Sequence, residues 1–458
     1  MQKLALAAWL HFWCQSKVGG FTHENIEEPH LTDYQCLTIN WDRSILVDSV
    51  IDDEYVRRLT PQILKLRQTG AGQITVGINS PGGSLASLDV LLALLTGPTQ
   101  DGNDGEVITV ATHRAYSSAA NLLTFGTYAV GLKHSEILYH DVRFGGMADV
   151  TPEKARDAAK SLQDANDAFA LRLAHRVIKR LVWVYIDLRP HFKEVETNFK
   201  ARHEAYTRSL SAYAPPVDGF ECIDLASFAT SLWGNLSARN DDLITKVMDR
   251  LSQWIYLTKI TKTIPAYREE GTSEPGLLDG VRHLHEMFDG KSEKFQQCEE
   301  PLKLFLSLFV AGIGQTEFEQ INFAATLESA VREYGILQSL NEQKHVLYAS
   351  KLMADHSVIF FNQPFPNGFD NLPEAEKSEL LVKAAPHARL LWHFCVLLCR
   401  ELFEGEHVLS PRDAQLLGLI DEVAGGGPVQ SRREWRVEQS QNDRAPDDGN
   451  PLVAQGPG

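Results

Sequence analysis

Residues 44–140 set short β-like runs against helical runs in regular alternation, and no other feature of the chain restricts its fold so strongly. SILVDSV (44–50) reads as a strand and DDEYVRRLTPQILKLRQ (52–68) as a helix. In that helix Tyr55, Val56, Leu59, Ile63 and Leu66 fall on one stripe, with Pro61 as a point of kinking. QITVGI (73–78) is a second strand, and SLASLDVLLALLTG (84–97) a helix capped by Ser84 with Leu85, Leu88, Leu92 and Leu95 on one face. EVITVA (106–111) is a third strand, SSAANLLTFG a helix ended by Gly126, and SEILYH (135–140) a further strand. Strand–helix units in series imply an α/β layer built on a largely parallel sheet.

The chain of 458 residues exceeds what one core holds, so further domains are expected. From Thr151 the pattern turns helical. TPEKARDAAKSLQDANDAFALRLAHRVIKRL opens with Thr then Pro, a helix start, and runs some thirty residues without a breaker. Helical patterns continue to about residue 404, broken at 214–219, 269–276 and 362–373. HVLSPRDAQLLGLIDEV (407–423) then closes the folded part, with Ser410 capping a short helix that ends at Gly418. The division that follows is an N-terminal segment (1–40), a first part of the α/β core (41–150), a mostly helical insertion or extended handle (151–385), a closing part of the core (386–425) and a disordered acidic, polar tail (426–458).

A net charge of −16 opposes nucleic acid and anionic membrane as partners. The six cysteines are sparse. Cys395 and Cys399 lie in an apolar helical run with no second ligand pair at zinc spacing, so packed thiols in a reducing compartment are expected. The apolar run within residues 1–17 holds a His and two Trp and no small-x-small site before Cys14, which favours an amphipathic or buried segment over a secretory signal. LKLFLSLFVAGIG (302–314) falls short of the ~20 residues of a membrane span, and a cytoplasmic location is expected.

Two turns each follow a strand and precede a helix. The first, Asn79-Ser80-Pro81-Gly82-Gly83-Ser84, lets backbone approach a ligand closely and presents the free N–H groups of a helix start. The second, Ala115-Tyr116-Ser117-Ser118-Ala119, offers an accessible hydroxyl among small residues, with the next N–H aimed at the same place. Singly, each is also an ordinary turn or helix cap. His140 ends a strand and is followed by Asp141 and by Gly145-Gly146, and the order of all three elements gives them joint meaning.

That order resembles the ClpP peptidase family, the proteolytic subunit of Clp-type proteases, within the broader ClpP/crotonase fold. INSPGGS (78–84) matches the family's glycine turn, AYSSAANLLTFGT (115–127) its serine helix, ILYHDVRFGG (137–146) its histidine segment, and VLSPRDAQLLGLIDEV (408–423) its closing segment. The likeness covers about residues 44–150 and 400–424. It implies a serine endopeptidase in which Ser117 attacks the scissile carbonyl, His140 shuttles the proton, and the N–H groups of Gly83 and Ser118 hold the oxyanion. Asn79, Ser80, Pro81 and Gly82 would align a peptide or unfolded protein substrate as an added strand. No cofactor or metal is implied. A homo-oligomer is, and an ATP-dependent unfoldase or regulatory partner would be a separate protein, since the chain has no nucleotide motif.

The departures are specific. Ala119 stands where glycine is common, and Asp141-Val142 where Gln-Pro is usual. The triad acid aligns with Glu406, with Glu404 second and Asp141 third, because neighbouring strand residues face opposite ways. Surface carboxylates with water completing a dyad remain the alternative. Glu406 is also 266 positions beyond His140, far more than the family's single helix requires, hence the inserted helices. A catalytically silent scaffold or binding subunit, an acyl-CoA enzyme of the crotonase fold, and a Ser–Lys peptidase using Lys133 or Lys154 are the competing readings.

Overall fold

A computed structural model describes residues 41–70, 72–97, 106–143, 151–192, 195–215, 217, 220–263, 343–356, 360–361 and 371–424. The N-terminal segment, the C-terminal tail, the 302–314 run, Gly145-Gly146 and Cys14, Cys36 and Cys298 lie outside the described residues.

The alternating region forms a parallel sheet. Strands β1 (Ser44–Val47), β2 (Ile74–Ser80), β3 (Val107–Tyr116) and β4 (Tyr128–Leu132) lie side by side in chain order. A short strand near the end of the described chain (Glu422–Ala424) extends the sheet beyond β4, also parallel. β4 was not assigned above. YAVGL starts two residues after Gly126 and is buried over four of its five positions, so it lacks the alternation that marks a half-exposed strand.

β3 serves two sets of partners. Ile108–Ala111 pair with Tyr128–Gly131, whereas Arg114–Tyr116 pair in parallel with β5 (Glu136–His140). The switch coincides with an irregularity against β2, where Ile78 faces Ala111 but Ser80 faces Ala115. β5 in turn pairs antiparallel with β6 (Glu406–Leu409), and the terminal strand, β7, completes the order β1-β2-β3-β4-β7 with β5 and β6 to one side.

Helices α1 (Asp53–Gln68) and α2 (Leu85–Thr96) begin where local chemistry dictates. Asp52 accepts a hydrogen bond from the Tyr55 N–H (2.8 Å), and Ser84 from the Ser87 N–H (3.3 Å). Their buried faces carry Tyr55, Val56, Leu59 and Ile63, and Leu88, Leu91, Leu92 and Leu95. All eight residues of α3 (Ser118–Phe125) are buried.

α4 (Pro152–Leu188) starts with Thr151 as cap and Pro152 in its first turn, and buries its side chains mainly from Phe169 onward. The helices beyond it are α5 (Lys200–Tyr213), α6 (Leu225–Asn235), α7 (Asp241–Thr263), α8 (Gln343–Ala354) and α9 (Glu374–Leu402), followed by α10 (Pro411–Leu416). α9 packs against α4, α7 and α8. The boundary expected at 385/386 lies inside α9, because Leu380, Ala384, Ala388 and Leu391 keep the buried stripe going past Pro386. Cys395 and Cys399 are buried free thiols on that helix. Burial pushes the Cys395 thiol up, and its Sγ donates to the Ala174 carbonyl (3.5 Å). Among the described residues, no helix is long and apolar enough to cross a membrane.

One buried arginine fastens the helical block to the α/β core, and a second ties two of its helices together. The Arg180 guanidinium donates to the carbonyls of Thr124 (2.9 Å), Gly126 (2.9 Å) and Leu419 (3.0 Å), and pairs with Asp421 (2.8 Å). It thereby caps the C-terminal end of α3 from α4. Arg400 of α9 pairs with Asp167 of α4 at 2.8 Å, with side chains 5% and 14% exposed.

Candidate active site

The glycine turn at the end of β2 is tied down on both sides. Ser80 donates its hydroxyl to the Ser49 carbonyl (2.6 Å) and accepts from the Gly82 N–H (3.1 Å). Ile51 donates to the Gly82 carbonyl (2.9 Å) and accepts from the Ser84 N–H (2.7 Å). Gly82 has φ +93°, and a Cβ there would lie 2.5 Å from the Tyr116 carbonyl oxygen and 2.7 Å from the Ser117 Cβ. A Cβ on Gly83 would lie 2.2 Å from the Ile51 oxygen. Only hydrogen fits at either position, and the turn presses directly on the backbone of the serine turn.

Ser117 stands between β3 and α3 with φ 56° and ψ −124°, the one positive-φ non-glycine residue among those described. Such a conformation costs about 1–3 kcal/mol and persists where its surroundings impose it. Here the Ser117 N–H is held by the Leu138 carbonyl of β5 (2.7 Å), and its own carbonyl accepts from Ala120 (2.9 Å) and Asn121 (3.2 Å). Ser84, Thr151 and Ser410 each accept a hydrogen bond from the third residue on, whereas the Ser117 hydroxyl makes no capping bond. Ser118 is fully buried and its hydroxyl is unpartnered among the described residues. Neither the Gly83 N–H nor the Ser118 N–H has a hydrogen-bond partner there.

His140 ends β5. Tyr116 pairs with Leu138 in the β3–β5 register, which brings Ser117 and His140 to the same end of adjoining strands. No hydrogen bond joins them among the described residues. Tyr139, on the opposite face from His140, is fully buried; its hydroxyl donates to the Ala120 carbonyl (3.1 Å) and bonds the Thr124 hydroxyl (2.6 Å), clamping α3 to β5. Burial raises the Tyr139 hydroxyl far above its ordinary value, so it acts as a neutral hydrogen-bonding group. The His140 Nδ1 lies 2.6 Å from the Asp141 carbonyl oxygen. A carbonyl only accepts, so Nδ1 carries the proton and Nε2 is the basic nitrogen.

Glu406 faces His140 in the β5–β6 register, but its Oε1 accepts from the Arg143 guanidinium at 2.8 Å. That hydrogen bond and the Arg143 charge hold the Glu406 carboxyl below its usual range. Glu404 is paired bidentately with Arg250 (3.0 and 2.5 Å). The Asp141 Oδ1 lies 4.0 Å from the His140 Nδ1 and 3.4 Å from the Arg143 Nε. Lys133 is exposed in the turn before β5, at the other end of that strand from His140, and Lys154 is exposed in the first turn of α4. Among the described residues no cluster of His, Cys, Asp or Glu could hold a metal ion.

Sequence reasoning did not single out Arg143, Asn166 or Arg250. Each is an unremarked polar residue whose partner in the site lies far along the chain, 263 positions in the case of Arg143 and Glu406.

The family model described as Clp protease matches residues 29–176. The match takes in the glycine turn, the serine turn and β5, and it ends inside α4. No curated protein matches the chain. The chain thus carries a ClpP-like α/β core, and the last third of α4 and the helices after it lie beyond the matched stretch.

Proposed function

Starting from a Clp protease domain, we propose that this protein is a serine peptidase with Ser117 as nucleophile and His140 as general base. The observation that carries the reading is the strained, uncapped Ser117 at a strand-to-helix turn, flanked by two uncommitted N–H groups. A serine used as a helix cap has no need of φ 56°. A nucleophile does, because that conformation frees its hydroxyl from the helix.

In the proposed reaction, His140 Nε2 takes the Ser117 proton as Oγ attacks the substrate carbonyl. The N–H groups of Gly83 and Ser118 receive the developing oxyanion. His140 then passes the proton to the leaving amine, and water releases the acyl group by the same steps. The substrate, a peptide or unfolded protein, adds as a strand beside the Asn79–Gly82 segment. Glu406 is the assigned triad acid. The bond it must exchange to reach His140 is a solvent-exposed ion pair with Arg143, which water screens. Assembly as a homo-oligomer, regulation by the helical insertion, and a separate ATP-dependent unfoldase belong to the same proposal, as does a cytoplasmic setting.

Two observations favour a catalytically silent subunit instead: Glu406 is engaged by Arg143, and the Ser117 hydroxyl is not bonded to His140. Hydrolysis of quenched fluorescent peptides separates the two readings. The peptidase reading expects turnover by the wild type, loss in Ser117→Ala, and retained turnover in Ser118→Ala, which keeps the backbone donor. Absence of turnover at every enzyme concentration, with or without added partner proteins, favours the silent subunit.

A further inference from the structure

The peptide group joining Asp141 to Val142 is held at both ends. Its carbonyl accepts from His140 Nδ1–H at 2.6 Å, and its N–H donates to Asn166 Oδ1 at 2.9 Å. Because a peptide unit is planar, fixing the N–H fixes the direction of the carbonyl on the other side. The donor is a main-chain N–H, so the Asn166 atom facing it must be its oxygen. Asn166 sits one position before Asp167, whose carboxylate pairs with the buried Arg400 of α9. That pair anchors this turn of α4 and leaves Asn166 little freedom. The His140 side chain is only 20% exposed, so few other orientations of the ring are open to it.

We propose that Asn166 is a positioning residue for His140, acting through the Asp141–Val142 peptide. The relay runs His140 Nδ1–H to Asp141 carbonyl, then Val142 N–H to Asn166 Oδ1. It does the orienting part of what a triad carboxylate does: it keeps the proton on Nδ1 and leaves Nε2 basic. It supplies no negative charge. Glu406 is therefore not needed to select the tautomer, and its pairing with Arg143 is compatible with a correctly oriented imidazole. The relay also joins the helical block to the base, since α4 delivers Asn166 and α9 fixes α4. Its catalytic consequence rests on the peptidase reading, but the relay itself is a statement about one imidazole.

The test reads the ring nitrogens. The full chain is labelled with ¹⁵N in histidine, and the His140 signals are identified by their absence in His140→Gln. Wild type should show the neutral His140 ring with its proton on Nδ1. Asn166→Ala and Val142→Pro, the latter removing the peptide donor, should shift the ring toward a mixture of tautomers, whereas Asn166→Asp, which keeps the acceptor, should not. Unfolding temperatures identify any variant that fails to fold, and with two independent breaks of the relay one folded variant suffices. Reaction of Ser117 with a fluorophosphonate should slow by about tenfold or more in the two breaking variants and recover in Asn166→Asp. A wild-type ring protonated on Nε2, or an unchanged tautomer in both breaking variants, overturns the proposal. A tautomer that follows Asn166 in a protein that never reacts with the probe upholds the relay and counts against the peptidase reading alone.

Discussion

Replacing Arg180 with Met tests whether the α4–core junction holds the site together. The guanidinium donates to three carbonyls and pairs with Asp421, and its side chain is 7% exposed. Methionine fills similar space but supplies none of these donors. Removing one member of a buried ion pair costs about 3–5 kcal/mol. Buried carbonyls that lose a donor add about 1–3 kcal/mol each where water cannot replace it. The expected loss is therefore at least about 6 kcal/mol, which lowers the unfolding temperature by roughly 12–24 °C. Urea unfolding followed by circular dichroism measures it. A second substitution checks the cause. Asp421→Asn keeps an acceptor for the Ala129 N–H (2.8 Å) but removes the stranded charge, so Arg180→Met with Asp421→Asn should be more stable than Arg180→Met alone by about 1–2 kcal/mol. A single-variant loss under about 1 kcal/mol, or no recovery in the double variant, would refute the reasoning.

Gly82→Ala should fold but abolish peptide hydrolysis, because its methyl would displace the Tyr116–Ser118 backbone; unfolding temperature and turnover measured together check this. Asp413 is buried, which alone would raise its carboxyl, but hydrogen bonds from Ser237, Asn240 and Ser410 outweigh burial and lower it. Its contribution to stability is then present above the unfolded value and lost as pH falls through the lowered folded one. Asp413→Asn should reduce stability at pH 7 and flatten the acid limb of a stability–pH profile. His393, fully buried against Trp254, is pushed down to about 3 by burial and Arg389. Between that value and the ordinary histidine range the unfolded chain binds the extra proton, so stability falls as pH drops through this window. The loss at pH 5 is about 2 kcal/mol, and His393→Leu should remove it in urea unfolding at pH 7 and pH 5.

Much of the core was legible because its signals are local. Ser84, Thr151 and Ser410 cap helices within three residues of themselves, and the Gly82-Gly83 turn announces itself in adjacent letters. What was not legible depends on contacts between distant segments. α9 reads through Pro386 because its buried stripe continues on both sides, which no local rule about proline foresees. Glu406 stands opposite His140 in the strand register, yet Arg143 takes its carboxylate, and no pattern in the sequence links positions 143 and 406. The Asp141-Val142 pair stood out as a departure, but its meaning required Asn166, brought to it by α4.

The central claim is that Ser117 is a nucleophile, and reaction with a fluorophosphonate followed by mass spectrometry of the peptides tests it most directly. One phosphonylated residue is expected, Ser117, with labelling lost in Ser117→Ala and in His140→Gln but kept in Ser118→Ala. Labelling on Ser118, or none on a folded wild-type protein, would contradict it.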